Sequence, residues 1–203
     1  MAGNRWATVL HADDVQPVAA PAAEFSNEDG VEVLMGTPAP QPGIEAPADG
    51  RLLTFPTVDL GPWWLGVHGG AGESTLAELI GGHACGHRWP EPSDEGERAK
   101  VLLVARQTAH GLDAAARAAR DWAAGSHPGV DLLGLVVVAG APGKVPRTLR
   151  SRTRIVGGGV PRTWVVPWIE SLHVEGQADD LPRSCESVLI AIGEAVERER
   201  EDQ

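Results

Sequence analysis

Tyrosine is absent from the 203 residues, phenylalanine, cysteine and methionine each occur twice, and lysine occurs only as Lys100 and Lys144. Each scarcity excludes something. No run approaches the ~20 apolar residues that a helix needs to cross a bilayer, so no membrane span is expected. Two distant cysteines, Cys85 and Cys185, cannot build a disulfide framework, and the first residues lack a basic stretch leading into an apolar one. A cytoplasmic protein with both thiols free is the expectation. With 17 basic residues against 28 acidic ones, the net charge of −11 argues against wholesale nucleic-acid binding. Because other aromatics are so few, Trp63, Trp64, Trp89, Trp122, Trp164 and Trp168 are expected to fill the core and rim a pocket.

What is present is unevenly spread. Residues 1–56 carry Pro17, Pro21, Pro38, Pro40, Pro42 and Pro47 among Ala, Gly and acid, which predicts a largely disordered acidic tail. Two apolar islands interrupt it, Trp6–Leu10 and Val31–Met35; either suits an added strand or a docking motif, and loose packing on the body is the plainer expectation. Residues 57–203 alternate apolar runs with helical patterns, the signature of βαβ units. Strands are predicted at Trp63–Val67, Val101–Ala105, Leu132–Val138 and Thr163–Val166. Helices are predicted over Ser74–Ile80, His110–Ala124 and Pro146–Ile155, with a last one from Ser184. Runs as continuous as Leu132–Val138 suit strands buried on both faces. The fold class that follows is α/β, a three-layer sandwich around a mostly parallel sheet.

Between the first of these strands and its helix lies His68-Gly69-Gly70-Ala71-Gly72-Glu73-Ser74-Thr75. Glycines at that junction let backbone N–H groups converge on an anion, and the helix dipole adds to their potential. A phosphate loop reads G-x-x-x-x-G-K-[ST], its lysine on the phosphates and its hydroxyl on magnesium. Here Gly72, Ser74 and Thr75 are kept, Val67 stands at the first glycine, and Glu73 stands at the lysine. A carboxylate ~4 Å from a phosphate charge costs ~4 kcal/mol at an effective dielectric near 20, where a lysine would gain as much. That swing is comparable with the ~8 kcal/mol of a micromolar complex. Ordinary nucleotide hydrolysis is therefore disfavoured.

Gly69–Leu76 resembles the deviant phosphate loop, K-G-G-x-G-K-[ST]-T, of the ParA/MinD-like ATPases, with His68 where that group places its signature lysine. Downstream, Val101–Ala105 followed by Gln107–Leu112, then Leu133–Val138, then Val160–Trp168 resemble successive core segments of the same group, in order, across residues 60–172. The likeness is greatest to an uncharacterised bacterial family with the same altered loop. The resemblance implies a P-loop NTPase-like fold, a site at His68, Gly69, Gly70, Ala71, Gly72, Glu73, Ser74 and Thr75, and ATP or ADP with magnesium bound weakly or not at all. It also implies the habit of relatives that position secretion, conjugation, pilus or DNA-partitioning assemblies, so a protein partner or a homodimer is expected. Two departures limit it: both lysines are missing, and only about 20 residues separate the loop helix from Val101. Glu91, Asp94, Glu95 and Glu97 fall there, on a proline-containing stretch expected not to be a strand. The alternative is a nucleotide-dependent switch in which an arginine or a partner subunit supplies the lysine's role.

Three further features carry chemistry. His83, Cys85 and His87 have the i, i+2, i+4 spacing of metal ligands on one strand face, with His68, His110 or Cys185 as a fourth; the alternative is a glycine-rich connector. Ser74 lacks the G-x-S-x-G setting of a hydrolase nucleophile. Lys144, Arg147, Arg150, Arg152, Arg154 and Arg162 form a basic segment with no acid among them, suited to a partner and, more weakly, to nucleic acid, or simply a solvated helix face.

Overall fold

The computed structural model describes residues 23–26, 31–174 and 181–201. Along the chain run β1 (Ala23–Ser26), β2 (Glu32–Met35), β3 (Leu53–Thr57), β4 (Trp63–Gly66), α1 (Glu73–Ile80), β5 (His83–Ala84) and β6 (Arg88–Pro92). There follow β7 (Ala99–Arg106), α2 (Ala109–Ala123), β8 (Val130–Val138), α3 (Arg147–Gly157), β9 (Arg162–Val166), α4 (Glu170–Val174) and α5 (Arg183–Glu201). Seven strands form one mixed sheet in the order β1-β2-β9-β8-β7-β4-β5. The five from β9 to β5 are mutually parallel, while β2 joins β9 and β1 joins β2 antiparallel.

The alternation of a strand divides its apolar residues between two cores. Leu65, Val101, Leu103, Leu135 and Val137 face α2 and α3, packing on Leu112, Ala115, Ala119 and Val156. Trp64, Leu102, Val104, Leu133 and Val136 face the other way, against Leu76 of α1 and Cys185, Val188 and Ile192 of α5. This double burial is why the central strands read as unbroken apolar runs, each fully buried Val or Leu contributing about 1.5–3 kcal/mol over exposure. Helices on both faces give the three layers. Trp64, Trp89 and Trp164 are among the largest fully buried side chains, as expected of a chain with few other aromatics. The helix α2 starts where the Thr108 hydroxyl accepts the Gly111 N–H at 3.0 Å and stops before Gly125 at φ 73°. Among the described residues no helix is long and apolar enough to cross a membrane.

Residues 31–56, expected as part of a disordered tail, belong to the fold. The island at 31–35 supplies β2, with Val31 and Leu34 buried and Glu32 and Met35 exposed. Beyond it the chain is tied down by Gly36 N–H to Pro161 O (3.1 Å), Thr37 N–H to Gly158 O (3.1 Å) and Gln41 N–H to Ala123 O (2.9 Å). Proline excludes helix but not an extended arm on a surface. The Trp6–Leu10 island and the rest of 1–22 lie outside the described residues.

The stretch from Glu91 also departs from expectation, since Glu91 is in β6, which pairs with β3 as a separate parallel ribbon. In a parallel pair a residue turns its N–H and C=O to the same side. Ser93 N–H donates to Thr57 O at 2.8 Å, so Phe55 and Thr57 turn toward β6, and Trp89 and Glu91 toward β3. Pro56, Pro90 and Pro92 fall on the alternate positions, where the missing N–H costs no ladder bond.

Candidate functional site

From β4 the chain passes through α1 to β5 on one side, and then returns to β7 on the other. Such a reversal opens a crevice at the carboxyl ends of the strands. The loop Val67–Gly72 lies at that end of β4. Beside it β7 ends in Arg106, β8 runs into Ala139 and β9 into Pro167.

Gly72 caps α1 at φ 106°, ψ 11°, a left-handed conformation that favours glycine, and no side chain caps the helix. Glu73 then folds back over the loop. Its Oε2 accepts the Gly72 N–H at 3.1 Å, and its carboxylate lies on the end of β4, so close that a Cβ on Gly66 would be 2.5 Å from Glu73 Cδ. The first acidic side chain of α1 thus occupies the space between Gly72 and the end of β4. Ala71 is buried and Thr75 half-buried, while Gly69, Gly70 and Ser74 are exposed.

His68 bridges the loop and the end of β7. Its Nε2 accepts the Arg106 N–H at 3.0 Å, which leaves the ring hydrogen on Nδ1, 3.0 Å from Gly69 O. Its ring meets His110 edge-on at 5.8 Å. His68 therefore pins the loop to the start of α2.

Arg106 is the residue that sequence reasoning missed. Its Nε donates to Gly70 O at 3.1 Å and its Nη1 to Ala139 O at 3.2 Å, linking the loop to β8. Burial pulls its pKa down, since a cation loses hydration there. It lines a cavity of about 110 Å³ together with Gly72, Thr75, Leu76, Val138 and Ile169. The available signal was its place: a charge ending the apolar run Val101–Ala105, on the strand beside the loop.

The possible metal ligands do not converge. His83 Nε2 pairs with Asp59 Oδ2 at 3.0 Å, the Cys85 thiol donates to Trp64 O at 3.4 Å, and His87 Nδ1 donates to Gly66 O at 2.6 Å. Burial, with Glu73 nearby, pushes the Cys85 thiol up from 9.0 to about 12, the opposite of a thiolate ligand. Among the described residues no three His, Cys, Asp or Glu side chains gather as a metal site.

Fold and loop together define an α/β protein with a mostly parallel mixed sheet and a glycine-rich strand–loop–helix at its switch point. The chain belongs to the Family of unknown function (DUF6668), which matches residues 61–189, from the approach to β4 into α5. Neither a curated protein nor a solved structure matches it.

Proposed function

We propose that this chain is a cytoplasmic, non-catalytic P-loop-fold protein that serves as an adaptor or positioning subunit of a bacterial assembly of the secretion, conjugation, pilus or DNA-partitioning type. The observation that supports this reading is the Glu73 carboxylate, which accepts the Gly72 N–H and lies against the end of β4 beside the loop. A triphosphate entering there must either expel that carboxylate or meet ~4 kcal/mol of repulsion at ~4 Å. Glu73 beside the loop does not suit the phosphates of a magnesium nucleotide.

Arg106 favours a second reading, a nucleotide-dependent switch in which an arginine stands in for the lysine. It reaches the loop at Gly70 and lines the cavity with Gly72 and Thr75. Calorimetry with Mg-ATP, Mg-GTP and Mg-ADP separates the two. The adaptor reading expects no saturable heat from the wild-type chain and gained binding in Glu73→Lys. Saturable wild-type binding, lost in Gly72→Val and in Arg106→Gln, would overturn it in favour of the switch.

A further inference from the structure

The helix α3 buries little and exposes much. Its buried residues are Thr153, Val156 and Gly157. Arg147, Arg150, Ser151, Arg154 and Ile155 are exposed, Ile155 to 54%. Their spacing of i, i+3, i+4, i+7 and i+8 puts them on one stripe. Residues 141–169 contain no Asp or Glu, so no carboxylate on the helix itself neutralises that stripe.

The rest of the fold neutralises it only in part. Arg152 pairs with Asp113, and Arg154 lies 3.9 Å from Glu32. Lys144, Arg147 and Arg150 have no carboxylate partner among the described residues. Local electrostatics opposes the arrangement. The arginines repel one another along the stripe. Lys144, Arg147 and Arg150 also crowd the positive end of the helix dipole, where the first turn holds no acid. Among the described residues, Lys144, Arg147 and Arg150 have no carboxylate that would make their placement favourable, and Ile155 stays exposed among them.

We infer that this face of α3 docks an acidic segment of a partner protein that places an apolar side chain on Ile155. The inference rests on the adaptor reading and names the chemistry of its partner. Charge complementarity supplies the attraction and Ile155 the contact that charge alone would not need. Duplex nucleic acid fits less well. The chain carries −11 overall, Glu32 and Asp113 flank the stripe, and an isoleucine has no use against a row of phosphates. A bilayer fits less well too, because an interfacial helix needs an apolar face and this stripe offers one apolar side chain. The loop leading into α3 carries Ala139, whose carbonyl holds Arg106. A docked partner would therefore sit at the same end of the sheet as the glycine-rich loop.

Fluorescence anisotropy of the full chain, without nucleotide, with a labelled peptide of repeated Glu-Glu-Leu units tests the inference. The wild type should bind it, with affinity falling about tenfold on raising salt from low to physiological strength. The double variant Arg147→Glu/Arg150→Glu should bind at least about tenfold more weakly, and Ile155→Ser about threefold more weakly. Both variants alter exposed side chains, and unchanged circular dichroism and melting establish that they fold. Equal binding of a Gln-Gln-Leu peptide, tighter binding of duplex DNA or phosphatidylserine vesicles, or an unaffected double variant would each overturn the inference. Nucleotide binding by the wild type would sink the adaptor reading while leaving the arginine dependence of peptide binding to be judged alone.

Discussion

Replacing Gly66 by alanine should expel the Glu73 carboxylate from the loop without altering its chemistry. A Cβ on Gly66 would lie 2.5 Å from Glu73 Cδ, 2.6 Å from Oε2 and 2.8 Å from Oε1. These atoms end a flexible side chain on a half-buried residue, so the glutamate rotates outward and β4 stays in place. The loss is one charge-assisted hydrogen bond, ~1.5–3 kcal/mol when buried and about 1 kcal/mol here, since water replaces it. The gain is one buried methyl, ~0.8 kcal/mol, and the relief of a strand glycine, ~0.5–1 kcal/mol. Stability should therefore stay within about 1 kcal/mol of wild type, a melting shift of at most ~2–4 °C. The loop itself should change. Amide exchange followed by NMR should show the Gly72 N–H losing protection, and a titration with pyrophosphate should shift the loop amides. Gly111→Ala is the contrast. Its Cβ meets the Arg106 carbonyl at 2.2 Å, a backbone atom that cannot step aside, so that variant should melt far lower. A Gly66→Ala protein whose Gly72 amide stays protected, or which melts as badly as Gly111→Ala, would refute the placement of Glu73.

Two further outcomes follow from buried groups. Cys85, with its thiol pushed up to about 12, should resist alkylation at pH 8 in the native chain and react on unfolding; rapid native labelling would contradict its burial. Because the folded thiol holds its proton longer than the unfolded one, its contribution is intact below about pH 9 and declines toward pH 12, by about 1.4 kcal/mol per pH unit. Urea titrations across that range read the slope. Asp121 is buried, with Oδ2 2.8 Å from His127 Nε2 and Oδ1 2.9 Å from Arg51 Nε, the latter close in distance though not aligned as a hydrogen bond. Asp121→Ala strands His127 and releases the arm at Arg51, costing about 3 kcal/mol once the half-exposed arginine is discounted, or ~6–12 °C in melting temperature. Trypsin should then cut after Arg51 sooner; equal melting and equal cleavage would show that the cluster ties nothing down.

The parallel core was legible because its physics is written in composition. Val101–Ala105 and Leu132–Val138 are buried on both faces, so they read as unbroken apolar runs, and α2 shows its buried side at helical spacing. What stayed hidden depends on partners far away in sequence or on a torsion angle. The strand β2 exists because Leu34 faces Thr163 across more than a hundred residues, which proline content at 1–56 could only obscure. The ribbon of β3 and β6 tolerates Pro56, Pro90 and Pro92 because each turns its missing N–H away from the ladder, a parity no composition reveals. At the loop, the sequence shows Glu73 next to Gly72 but leaves the direction of its carboxylate open. Whether it pointed outward or inward was a rotamer question, settled by Gly66 having no side chain in the way.

That inward turn also limits what the single change Glu73→Lys would do. Under the proposed reading, Glu73→Lys removes one anion from the loop and supplies one cation, which suffices for a phosphate to be held. Hydrolysis asks for more: a carboxylate aimed at magnesium and a group that orients water. The parallel strands beside the loop end in Arg106, in Val138 before Ala139, and in Val166 before Pro167, none of them acidic. His68 is committed to the Arg106 N–H at the end of β7 and to Gly69 O. A cation thus stands at the strand end nearest the site, and it is itself engaged in bridging Gly70 to Ala139. Glu73→Lys should accordingly bind a nucleotide without turning it over, which separates a loop kept for its shape from a catalyst disabled at one position.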